Sequence, residues 1–161
     1  MILRYTFCVK RTEALLGLLR LPLDAFAVMA ALLLGYHLRS NNIDLVPNVQ
    51  LLDAATTLPS LEWYIPSFVV PSIGLFIAIA ASIGLYAIRG TIGGWREMGD
   101  VLTAALLWLV FVIGWYFLVR RQLFYSRILL IHSTVFIAFF VMLVRTAVVL
   151  LQRAMMRHGV G

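Results

Sequence analysis

The chain has 161 residues, of which 63% are hydrophobic and 12% charged, with a formal net charge of +6. Soluble domains are nearer half apolar and a quarter charged, and disordered chains lack apolar residues, so both classes are excluded. A single cysteine, Cys8, excludes an internal disulfide framework and a Cys-rich metal site.

Twelve of the 13 cations are Arg, and they lie between apolar runs rather than in one basic stripe. This distribution suits topology control and contact with lipid head groups, not nucleic acid. A span needs roughly 17–25 apolar residues, and the gaps between charges predict four, at 21–38, 66–87, 101–119 and 128–150.

Residues 1–20 form a basic N-terminal segment with Arg4, Lys10, Arg11 and Arg20. A signal peptide would use the same cations, with Val28-Met29-Ala30 as its cleavage site. The apolar run, however, continues to Leu38. Asp24 stands four residues after Arg20, which predicts a pair at the inner interface rather than a proton-coupling acid.

The connection 40–65 ends in Trp63 and Tyr64, which suit the lipid–water interface. Pro66 and Pro71 are expected in the first turns of span two, where a missing N–H does least harm. Gly90, Gly93 and Gly94 lie in the next loop with Arg89 and Arg96, in neither a phosphate-binding nor a dinucleotide pattern. Glu97 and Asp100 suit the start of span three, where acids favour the helix dipole. Span three carries Trp108, Phe111, Trp115, Tyr116 and Phe117; span four carries Phe136, Phe139 and Phe140. Residues 152–161 form a basic tail or linker.

The expected fold is an all-α, polytopic membrane four-helix bundle. An even number of spans puts both termini on one side. That side holds nine cations against four on the other, so both termini are expected in the cytoplasm. Ala27, Ala31 and Gly35, and likewise Gly74, Ala78 and Ser82, repeat every four residues. These small faces are expected to pack spans one and two together.

No pattern marks a catalytic, cofactor or metal residue. His37 and His132 fall near span ends and read as interfacial residues rather than haem ligands. Thr103, His132, Ser133 and Thr134 are the few polar groups for a transport path. They support the alternative of a small four-span transporter or flippase subunit.

The order of motifs resembles the N-terminal membrane domain of bacterial polyprenyl-phosphate glycosyl-1-phosphate transferases. The resemblance runs through Arg20-Leu-Pro-Leu-Asp24, Tyr36-His37-Leu38-Arg39, Gly84-Leu85-Tyr86 and Trp95-Arg96-Glu97. It continues through Tyr125-Ser126-Arg127, Arg145 and the stretch from Gln152-Arg153 to Gly159, and so covers nearly the whole chain. It implies a place in cell-surface glycan initiation at the bacterial cytoplasmic membrane. There such enzymes move sugar-1-phosphate from a nucleotide sugar to undecaprenyl phosphate. The family's catalytic domain, with its acidic pair and magnesium, has no counterpart in these residues. The chain is therefore expected to be a non-catalytic anchor without a cofactor. Its expected partners are membrane lipid and a catalytic transferase domain or subunit, or a second copy of itself. Arg145, Arg153 and Arg157 are the expected contacts with lipid phosphate or partner acids, because the guanidinium fork matches phosphate.

Overall fold

A computed structural model describes residues 2–41, 43, 58–86, 95–120 and 126–157. The described residues are helical, with no strand. Four helices are long and apolar enough to cross a membrane. Helix α1 runs Ile2–Ser40, α2 Leu61–Ser82, α3 Trp95–Trp115 and α4 Arg127–Arg157. Most of the connection 40–65, the glycine loop 87–94, Tyr125 and Gly159 lie outside the described residues.

Each span is apolar all round, so hydrophobic periodicity does not say which face turns inward. The structure buries a stripe on each helix. On α1 this is Asp24, Ala27, Val28, Ala31, Leu32 and Gly35, at the three- and four-residue spacing of one helix face. On α3 it is Val101, Ala104, Ala105, Trp108 and Val112, while Phe111, Trp115 and Phe117 face outward.

The widest interface joins α1 to α4. Gly35 is its closest approach: a Cβ placed there would lie 2.9 Å from Ser133 Oγ. Gly35 therefore packs against α4, not against the small face of α2 as expected. Gly74, Ala78 and Ser82 are exposed, and a Cβ on Gly74 would meet nothing within 4 Å. Helices α1 and α2 do touch, along Val70–Ser82 and, near the start of α2, through aromatic rings. Tyr36 stacks 4.7 Å from Tyr64 and donates a 2.7 Å hydrogen bond to the Pro59 carbonyl. Tyr64 continues to Phe68 at 5.3 Å, and Phe68 to Trp108 at 6.3 Å.

The second span begins and ends earlier than its charge gap suggests. The helix starts at Leu61, so Pro66 and Pro71 fall inside it. A π turn at Ile65–Val69 contains Pro66 and directly precedes Pro71, with the Val70 N–H reaching back five residues to the Ile65 carbonyl. The wider turn relieves the crowding that a proline ring imposes on the preceding carbonyls. The helix stops after Ser82 because Gly84 adopts φ 75°.

Candidate functional site: a buried ion network

The turn that ends α2 is a Schellman motif built on Gly84. The Leu85 N–H donates to the Ala80 carbonyl at 2.9 Å, and the Gly84 N–H donates to the Ala81 carbonyl at 3.0 Å. Only glycine adopts the left-handed conformation without a steric penalty. This turn sends the Leu85 side chain into the core and presents its carbonyl, followed by the Tyr86 ring, to the end of the bundle.

Arg145 of α4 fills the space those groups define. Its Nη2 donates to Asp24 Oδ2 at 2.5 Å, and its Nη1 to Glu97 Oε1 at 2.9 Å and the Leu85 carbonyl at 3.4 Å. The guanidinium carbon lies 5.4 Å from the Tyr86 ring centroid, within cation–π range. Arg20 approaches Glu97 from the outer side at 3.9 Å. One cluster thus joins α1 through Asp24 and Arg20, the end of α2 through Leu85 and Tyr86, α3 through Glu97, and α4 through Arg145.

Asp24 is fully buried and Arg145 nearly so. Isolated charges in a membrane interior are expensive, whereas here two acids balance two cations. The Tyr86 hydroxyl lies near Asp24 without a well-formed hydrogen bond. Burial first, and the Asp24 charge second, push that hydroxyl above its ordinary range, so it stays a neutral phenol.

This geometry corrects two expectations. Asp24 pairs with Arg145, 121 residues away, and not with its helical neighbour Arg20. Arg145, expected to meet lipid phosphate or a partner's acids, is enclosed and bonded to acids of its own chain. The side chains of Arg153 and Arg157, the other two members of that trio, lie outside the described residues.

Ser126 has a local role at the start of α4. Its Oγ accepts from the Leu129 N–H at 3.3 Å, capping the helix, and Arg127 beside it is exposed. Of the polar groups weighed for a transport path, His132, Ser133 and Thr134 are buried and Thr103 is not. Thr103 is exposed and bonds back to the Gly99 carbonyl, while Thr134 bonds to the Leu130 carbonyl of its own helix. His37 is exposed beside Asn41, and His132 lies 6.2 Å from the Phe136 ring. No group of three His, Cys, Asp or Glu among the described residues is placed to hold a metal.

Sequence reading singled out Asp24, Tyr86, Glu97 and Arg145 separately but did not join them. Charge complementarity between the first and last spans was the available signal. The closer Arg20 concealed it. Comparison of the chain with protein-family models, curated proteins and solved structures finds no match.

Proposed function

We propose that this chain is a non-catalytic membrane anchor in sugar-phosphate transfer to undecaprenyl phosphate. It would lie in the bacterial cytoplasmic membrane with both termini in the cytoplasm. There it would hold a catalytic transferase domain or subunit at the face where the ion network lies. One observation carries this reading. Asp24, the Gly84-Leu85-Tyr86 turn, Glu97 and Arg145 are four of the positions that carry the resemblance, scattered over 121 residues of separation, while Ser126 and Arg127 of the same resemblance lie at the other end of α4. These four meet in one cluster. Motifs that match by accident have no reason to share one structural task.

In the cluster both acids, Asp24 and Glu97, are engaged by Arg145. Tagged chain isolated from its own host's membranes should carry an activity that moves labelled sugar phosphate from a nucleotide sugar to undecaprenyl phosphate. The chain expressed alone in an unrelated host should give none. No activity in the native preparation overturns the assignment, and transfer by the chain alone overturns its non-catalytic part.

A further inference from the structure

Among the described residues, three polar atoms of the ion network have no hydrogen-bond partner. They are Asp24 Oδ1, Arg145 Nε and the Tyr86 hydroxyl, and each is shut off from solvent. Elsewhere the cluster is well bonded. Arg145 uses both terminal nitrogens, on Asp24 Oδ2, Glu97 and the Leu85 carbonyl. A buried donor or acceptor left unmade is more costly than a made bond is favourable. The three atoms belong to neighbours. Asp24 and Arg145 are bonded to each other, and the guanidinium carbon lies 5.4 Å from the Tyr86 ring centroid. The Tyr86 phenol stands close enough to both charged groups to interact with each.

A carboxylate only accepts, a guanidinium only donates, and a phenol does both. Asp24 and Arg145 can turn side by side into a two-pronged pair, but the Tyr86 proton is then left with no acceptor. A phenol placed between them satisfies all three groups. It donates to Asp24 Oδ1 and accepts from Arg145 Nε. Tyr86 is placed for that move. It lies beyond the end of α2, two residues past Gly84 with its φ of 75°, and it is only half-buried.

We propose that Tyr86 is a strap poised to close across the Asp24–Arg145 pair, tying the end of α2 to α1 and α4. In the closed state the phenol bridges carboxylate and guanidinium. In the open state the pair stands without it. The closed state predominates, because it leaves none of the three buried atoms unpartnered. The inference does not depend on the proposed role in sugar transfer.

Infrared spectra of the full chain, reconstituted in lipid with isotope-labelled tyrosine, test the strap. Subtracting the spectrum of Tyr86→Phe from that of the wild type isolates the Tyr86 C–O stretch. It should fall where a phenol that donates to a carboxylate absorbs. The same subtraction in the chain carrying Asp24→Leu with Arg145→Leu should give a free phenol. Should Tyr86→Phe fail to fold, wild type minus that double variant reads the same band. Amide exchange gives a second readout. Tyr86→Phe should speed exchange of the Leu85 N–H about fivefold, matching one net hydrogen bond, and leave the Ser133 N–H unchanged. A free phenol in the wild type overturns the strap, because Asp24 and Arg145 have then closed on each other alone. So does a bonded phenol in the double variant, which would mean that water or another group holds the hydroxyl. Equal Leu85 exchange in wild type and Tyr86→Phe overturns it as well.

Discussion

Arg145 is the residue on which the ion-network end of the bundle depends. Removing one member of a buried ion pair strands the other, at a cost of about 3–5 kcal/mol, whereas replacing both with apolar groups can be nearly neutral. Arg145→Leu should therefore lower the unfolding temperature in detergent sharply, and Asp24→Leu with Arg145→Leu should recover most of the loss. A double variant no more stable than the single one would mean that the pair is not the source of the effect. Arg20→Gln should change little, because Arg20 is partly exposed and stands 3.9 Å from Glu97. Gly35 offers a second test at this scale. Gly35→Ala should destabilise the α1–α4 contact, and adding Ser133→Ala should relieve it by removing the oxygen that the new methyl meets. Gly74→Ala should be tolerated in the same assay, since nothing lies within 4 Å of that position.

At the scale of elements, turn and cap chemistry sets the boundaries that charge spacing misplaced. The charge gap after Glu62 runs on through uncharged residues to Arg89, so it carries no mark of where the helix stops. Gly84 supplies that mark, with its positive φ and two reverse hydrogen bonds. Gly84→Ala should cost about 1–2 kcal/mol through the left-handed penalty. It should also weaken the Arg145 site by shifting the Leu85 carbonyl. Ser126→Ala should cost about 1 kcal/mol through the lost cap at the start of α4. Both losses are measurable by thermal denaturation. If Gly84→Ala leaves stability unchanged, the Schellman turn is not what ends α2. The prolines of α2 teach the same lesson. Pro66 and Pro71 suggest a helix start, but a π turn lets the helix begin five residues sooner.

For the whole molecule, four antiparallel spans return the chain to the side from which it began. The ion network lies at that end, and the aromatic contacts from Tyr36 to Trp108 lie toward the other. The proposed orientation places the network on the cytoplasmic side. A fluorescent protein fused after Gly161 should then fold and fluoresce. A periplasm-dependent phosphatase inserted between residues 43 and 58 should be active. The reverse pattern would invert the orientation and remove the cytoplasmic face from the proposed function.

The sequence by itself determined that this is a membrane protein of four helices. Burying a backbone in lipid requires long apolar runs, and those runs are visible as gaps between charges. It also supplied Asp24, Tyr86, Glu97 and Arg145 as unusual positions. Only the tertiary structure decided which of them are partners. In an all-apolar span every face satisfies the lipid equally, so no periodicity selects the inward one. The choice falls to close packing at Gly35 and Ser133 and to the need to neutralise Asp24. A charge near the start of the first span is balanced by an arginine toward the end of the last, and only the folded bundle brings those two places together.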